Sequence, residues 1–323
     1  MIDVQEMNGS QRQSAANFPQ ELGKLAVITC STSGVGFDIA LALARAGADV
    51  VLTGRQTADG HEALSRIRPL APHALVRFEK LELASLNSVA DFANRLVEAG
   101  RPVDLLINNA NTLVLQGRQQ TGDGLELHLA TNFLGHFALT ARLMPLLRAS
   151  KQAKVVQLTS TGRHHGEIHL NDLQLQSDYS PLKAYSQSKL AMMIFALELQ
   201  RKSDEHAWGI TGTSAQPIGT HAALLANATE VTPSLGWYRR ALGLIPSQAA
   251  GREGNSAVEN LLAKTPEPAA KSLAELIGPP APEAADMRVL DPVMGKKLWD
   301  AATQLTGVKW PEAEAKEVEA ASG

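Results

Sequence analysis

Six short apolar runs, spaced by segments of helical or loop character, constrain this chain more than any other feature. Leu25 to Thr29, Asp49 to Thr53, Ala74 to Phe78, Val103 to Asn108, Lys154 to Thr159 and Ile210 to Ala215 read as strands. Runs this short and this apolar suit strands buried on both faces. Between them, Gly34 to Ala46, Ser85 to Glu98, Asp123 to Arg148 and Tyr179 to Lys202 carry helical spacing, with Val35, Ile39, Leu43 and Ala46 on one face of the first. Strands alternating with helices predict an α/β fold: one doubly wound parallel sheet with helices on both faces. No longer repeat lies over this alternation.

The remaining segments arrange around that sheet as a single domain over residues 21–310. Residues 1–20 are polar and read as a flexible N-terminal arm. Residues 216–250 hold Pro217, Gly219, Pro233, Gly236, Gly243 and Pro246 among apolar residues, which reads as a substrate lid. Residues 265–285 are rich in Pro, Ala and Glu and read as a surface loop. A last helix, Pro292 to Gly307, is expected to pack back on the sheet, before a tail over 311–323.

Composition narrows the partners. The net charge of -3 and pI of about 6.3 lack the basic bias of a nucleic-acid binder. No run approaches the roughly 20 apolar residues of a membrane span. The amino terminus lacks a basic patch leading into an apolar segment, so a cytoplasmic location is expected. The single cysteine, Cys30, rules out an internal disulfide and a cysteine-based zinc site.

Three features carry chemistry. The first strand runs into Thr29-Cys30-Ser31-Thr32-Ser33-Gly34-Val35-Gly36 and then a helix. Such a turn aims backbone N–H groups and a helix N-terminus at a phosphate, and its glycines let the pyrophosphate approach. Its plain alternative is an ordinary tight turn. In Tyr185-Ser186-Gln187-Ser188-Lys189, residues four apart share a helix face, so phenol and ammonium point the same way. A phenol titrates near 10, and a cation beside it favours the phenolate, making it a usable acid or base. The alternative is a pair of surface residues. Ser160 ends the fifth strand, where the carboxyl ends of a parallel sheet form the ligand crevice. Asn132 and Asn108-Asn109-Ala110 fall on the same edge.

Together these residues resemble the short-chain dehydrogenase/reductase family over about residues 22–310. The family turn Thr-Gly-xxx-Gly-x-Gly matches 29–36, with Cys30 where Gly is usual, and Asn-Asn-Ala-Gly matches 108–111, with Asn111 where Gly is usual. The chain is most similar to the retinol-dehydrogenase-like and protochlorophyllide-reductase-like branch. That similarity rests on Asn132-Phe-Leu-Gly-His-Phe137, His164-His165-Gly166, Asn171-Asp172-Leu173, Ala184 to Leu190 and Lys297-Leu-Trp-Asp300.

The resemblance implies a Rossmann-type sheet and a catalytic set of Asn132, Ser160, Tyr185 and Lys189. Tyr185 would exchange a proton with the substrate oxygen. Lys189 would lower the Tyr185 pKa and bond the nicotinamide ribose. Ser160 would polarise the substrate oxygen, and Asn132 would hold a water linking Lys189 to solvent. The implied cofactor contacts are Thr29, Ser31, Ser33, Gly34, Val35 and Gly36 in the turn, Arg55, Glu82 and Leu83 near the adenosine, Asn109 and Ala110, then Tyr185, Lys189, Pro217, Gly219 and Thr220. Thr53 and Ser33 are placed to bond a phosphate. The second strand ends Thr53-Gly54-Arg55-Gln56 without the carboxylate that binds a ribose 2′-OH, and Arg55 can pair with a 2′-phosphate, so NADP(H) is expected.

Cys30, Asn111 and Ile218 depart from the family pattern on the cofactor side. Cys30 reads as a buried, inert thiol. His164 and His165 read as pocket lining, with no metal site. Trp237, Tyr238, Leu242 and Ile245 could cover an apolar substrate. The expectation is an NADP(H)-dependent oxidoreductase interconverting a carbonyl and an alcohol on a small to medium apolar molecule; a homo-oligomer is compatible with it. The alternatives are reduction of a C=C bond, action on a polyketide-like intermediate, or a binding protein of this fold that has lost turnover.

Overall fold

The computed structural model describes residues 21–113, 117–160, 163, 166–215 and 291–311. The expected arm, lid, surface loop and nearly all of the tail lie outside the described residues.

Strands β1 (Leu25–Ile28), β2 (Asp49–Gly54), β3 (Val76–Lys80), β4 (Leu105–Asn108), β5 (Ala153–Leu158) and β6 (Ile210–Ala215) form one sheet in the order β3-β2-β1-β4-β5-β6. Every pairing is parallel, with Val27 in register with Val51 on one side and Leu106 on the other. The strand order reverses between β1 and β4, and their carboxyl ends part there to open a crevice.

Helices α1 (Gly34–Arg45), α2 (Thr57–Ile67), α3 (Leu86–Ala99), α4 (Gly135–Arg148), α5 (Pro181–His206) and α6 (Pro292–Thr306) accompany the sheet. Successive strand residues point to opposite faces. Ile28, Leu52 and Ile107 thus enter a core with Leu43 and Ile67, while Val27, Val51 and Leu106 enter the other, with Phe92, Phe137 and Phe195. Both faces are covered, which is why β1 and β4 are buried at every position and apolar except at Asn108.

Helix α2 was not foreseen from the sequence. Its sequence, TADGHEALSRI, buries only Gly60, Ala63, Leu64 and Ile67. Gly60 weakens its local helical signal, yet contact with β3 requires it: a Cβ there would lie 2.3 Å from the Phe78 ring. A second difference concerns the stretch expected as one helix from Asp123. It opens with a π-helical turn at Leu129–Leu134 before α4 begins. Such turns widen the backbone spiral and mark functional sites; this one carries Asn132.

Helix α5 is long and buried from Ala184 to Ala196. Pro181 sits at its start, where a missing N–H costs nothing. Helix α6 starts at Asp291, which accepts from the Val293 amide, and ends at Gly307 in left-handed geometry. It packs on α5 through Trp299, 5.8 Å from the Phe195 ring and 5.0 Å from that of Phe137.

Candidate active site

The turn after β1 is laced to its neighbours from within. Thr29 Oγ1 accepts the amides of Asn109 and Ala110, both at 2.8 Å. Asn109 Nδ2 donates to the carbonyls of Thr29 and Cys30 at 2.8 and 2.9 Å. Ser31 Oγ donates to the Ile28 carbonyl and accepts the Thr53 amide, each at 3.0 Å. Thr53 Oγ1 donates to the same carbonyl at 3.1 Å and accepts the Cys30 amide at 3.2 Å.

These contacts engage the side chains of Thr29, Ser31, Asn109 and Thr53, four of the expected cofactor positions, within the protein. Buried polar groups need partners, and the backbone groups beside these four supply them. They build the cradle from behind. Its outward surface is the start of α1, with Ser33 and Gly34 exposed and Val35 half-buried. Ser33 makes no side-chain cap, so its hydroxyl is free for a ligand. At Gly36 a Cβ would lie 2.4 Å from the Cys30 carbonyl oxygen and 2.6 Å from Asn109 Nδ2. This close-packed turn at a helix N-terminus fits a dinucleotide pyrophosphate.

Cys30 departs from expectation. It is exposed and holds a left-handed φ of 52°, a geometry costing on the order of 1–2 kcal/mol for a residue with a Cβ. The protein wall around the thiol pushes its pKa up, against the pull of Arg55. Arg55 follows β2, 77% exposed, with Nε 4.0 Å from Glu82 Oε2. A carboxylate absent from the end of β2 therefore arrives from the loop after β3. Glu82 is itself anchored by the Ala84 amide at 3.0 Å, and Leu83 beside it is buried.

Across the crevice, α5 brings Tyr185 and Lys189 one turn apart, β5 delivers Ser160, and the π turn delivers Asn132. Tyr185 Oη donates to Ser160 Oγ at 3.2 Å. Burial pushes the Tyr185 pKa up, and the side chains of Ser160 and Asn111 pull it partly back. This differs from the expected lowering by Lys189. The Lys189 ammonium instead donates to the Leu158 carbonyl at 3.3 Å, and burial brings its own pKa down to about 7.

The Asn132 side chain is committed within the protein. Nδ2 donates to the Thr112 carbonyl at 3.1 Å and to Ser188 Oγ at 2.9 Å, while Oδ1 accepts the Thr112 amide at 2.7 Å. Ser188 Oγ in turn donates to the Tyr185 carbonyl at 2.7 Å. Both amide hydrogens are thus used to tie the segment after β4 to α5.

Two functional positions carried no role in the sequence reading. His136, four residues after Asn132, lies with Nδ1 2.9 Å from the Asn132 carbonyl and Nε2 2.9 Å from Thr29 Oγ1. Burial lowers its pKa to about 3. A neutral ring facing a carbonyl must carry its proton on Nδ1, so Nε2 accepts from Thr29 and the ring joins the two halves of the site. The i, i+4 spacing was the available signal. Glu126 anchors the π turn, accepting the His128 amide and ring nitrogen and the Leu129 amide at 2.7–3.0 Å. Burial would raise its pKa, but the bonds from His128 and Leu129 outweigh that and hold the carboxyl below its usual range. Pro217, Gly219, Thr220, Ile218, His164, His165 and the aromatic lid positions lie outside the described residues.

A doubly wound parallel sheet with a phosphate-cradling turn at its switch point, and a Tyr–Ser pair beside a buried lysine, defines a dinucleotide-dependent class of oxidoreductase. The family model for short chain dehydrogenases matches residues 24–232, and the chain belongs to that family, in its retinol-dehydrogenase-like branch. It is 40% identical to polyprenol dehydrogenase of Mus musculus over 227 residues, 68% of each chain. It is 32% identical to retinol dehydrogenase 13 of Homo sapiens over 312 residues, 94% of this chain and 90% of that one. A crystal structure of an uncharacterised Mycobacterium paratuberculosis protein superposes with a TM-score of 0.70 at 30% identity, covering 92% of this chain and 98% of that one. Among the described residues, no helix is long and apolar enough to cross a membrane.

Proposed function

We propose that this chain is an NADP(H)-dependent dehydrogenase/reductase that interconverts an apolar alcohol and its carbonyl compound, with Tyr185 as general acid and base. The Tyr185–Ser160 pair, 3.2 Å apart at the carboxyl end of the sheet, carries this reading. A nicotinamide dinucleotide held at the start of α1 would supply or take up the hydride. The chain's own part is the proton. In reduction, Tyr185 Oη gives its proton to the substrate oxygen while Ser160 holds that oxygen; in oxidation the proton returns. Lys189, with its pKa near 7, changes charge where such an enzyme works.

Arg55 supports NADP(H), since its guanidinium stands free of any strand-end acid and is only loosely engaged by Glu82 at 4.0 Å. The relatives named for retinol and polyprenol, both apolar alcohols, support the substrate class. The test is NADPH consumption by the purified protein with all-trans-retinal and a short polyprenal, and NADP+ reduction with the matching alcohols. Turnover lost by a factor of about 10²–10⁴ in Tyr185→Phe is expected. NADPH binding without turnover on any of these compounds would overturn the substrate reading, and equal rates in Tyr185→Phe would overturn the mechanism.

A further inference from the structure

The Thr29 hydroxyl is fully engaged. It accepts the Asn109 and Ala110 amides, both at 2.8 Å, which takes its two lone pairs. Its proton goes to His136 Nε2 at 2.9 Å, a nearer acceptor than the Ile107 carbonyl at 3.4 Å. The other ring nitrogen, Nδ1, donates to the Asn132 carbonyl at 2.9 Å. The Asn132 amide is oriented as firmly. Its Oδ1 accepts the Thr112 amide, so the atom facing Ser188 Oγ at 2.9 Å is the donor Nδ2. Ser188 Oγ then donates to the Tyr185 carbonyl at 2.7 Å. Four hydrogen bonds therefore run with every donor pointing the same way, from the turn after β1 to the residue that faces Ser160. They are joined through the covalent frame of each residue, so the chain transmits position, not protons. Thr29, His136, Asn132 and Ser188 are all sealed from solvent, where such bonds are strongest.

We propose that His136 and Ser188 are positioning residues: through Asn132 they fix the distance between the dinucleotide cradle and Tyr185. The hydride is exchanged from the cradle side and the proton from α5, and both must meet one carbon–oxygen bond of the substrate. Misplacement by about 1 Å is enough to cost about 10²-fold in such a reaction. Neither residue is needed to hold its own neighbours. Without the imidazole, Thr29 Oγ1 still accepts the two amides of the cradle. Without the Ser188 hydroxyl, Asn132 still grips Thr112 through two bonds, at 2.7 and 3.1 Å. What each supplies is the connection between the two walls of the crevice.

The inference rests on Tyr185 as the acid and base, but two of its three tests need neither turnover nor cofactor. In the unaltered protein, NMR of the ring nitrogens should show His136 as a single neutral tautomer, protonated at Nδ1 and bare at Nε2. A proton on Nε2 would break the chain at Thr29 and overturn the proposal. Site-resolved hydrogen exchange is then compared in His136→Ala and Ser188→Ala, relative to the core amides of β2 in the same sample. Ser188→Ala should speed exchange at Asn109 and Ala110, and His136→Ala should speed it at Tyr185 and its neighbours, each by about 3- to 10-fold. A folded variant that loosens only its own surroundings would refute the link; if one variant does not fold, the other and the tautomer decide. With retinal and NADPH, folded variants should lose about 10- to 100-fold in kcat, while the KM for retinal and the affinity for NADPH stay near their starting values. The reverse split, an unchanged kcat with weakened NADPH, would make these residues part of the cradle alone and sink the proposal. Absence of turnover in the unaltered protein would count against the substrate reading, and the tautomer and the exchange would still decide this one.

Discussion

Lys189 directs its ammonium at the carbonyl oxygen of Leu158, 3.3 Å away, from a position almost sealed from solvent. One carbonyl dipole replaces little of the water an ammonium gives up. The lysine therefore releases its proton near pH 7 instead of 10.5. The unfolded chain binds that proton up to 10.5, so the folded state binds fewer protons across the window between, and stability should rise with pH from about 7 toward 10.5. In Lys189→Met that rise should flatten, and the thermal midpoint at pH 7 should climb by several degrees while turnover is lost. Calorimetry at pH 7 and pH 9 checks both; a parallel pH dependence in the two proteins would count against it.

Arg55 and Glu82 stand 4.0 Å apart, so each tempers the other's charge. Arg55→Ala should weaken NADPH about 10- to 100-fold and leave NADH nearly unchanged, the loss of one charge-assisted contact. Glu82→Gln should tighten NADPH by freeing the guanidinium. Tryptophan fluorescence titration with both dinucleotides measures this, and equal losses for both in Arg55→Ala would refute the 2′-phosphate contact.

His136 is a neutral strut between Asn132 and Thr29. Its pKa falls from 6.5 to about 3, so the stability tied to the neutral ring is intact above pH 6.5 and is lost as pH falls toward 3. His136→Ala leaves two buried groups short of a partner, at about 1–3 kcal/mol. Chemical denaturation at pH 7 and pH 5 should show the deficit shrinking at the lower pH. A constant deficit would mean that the ring titrates in the fold as it does in the unfolded chain, and would refute the burial effect.

Cys30 holds a backbone geometry that favours glycine. Cys30→Gly removes a left-handed penalty of about 1–2 kcal/mol but adds about 0.5–1 kcal/mol of chain entropy to lose on folding. Stability should therefore rise, by roughly 0.5–1 kcal/mol, as read by denaturant midpoint; a fall would place the function of the thiol in packing.

Much of the site was legible because it sits on local patterns. Tyr185 and Lys189 share a helix face through their spacing alone, and Ser160 and Asn109 follow strands that announce themselves by apolar content. What failed to read was orientation. Thr53 was placed to bond a phosphate, yet its hydroxyl donates to the Ile28 carbonyl and accepts the Cys30 amide. Helix α2 was missed because the Phe78 ring that makes Gly60 necessary lies on another element.

By itself the sequence determined the alternation of strands and helices, the turn at the head of α1 and the places where Asn132, Ser160, Tyr185 and Lys189 occur. Those depend on periodicity and on residue type over a few positions. Only the tertiary structure decided which way the hydroxyls of the turn point, that Tyr185 meets Ser160, and that the phenol's pKa is drawn up while the lysine's is drawn down. Such properties depend on burial and on hydrogen-bond partners supplied by distant segments, and neither exists until the chain has closed around the site.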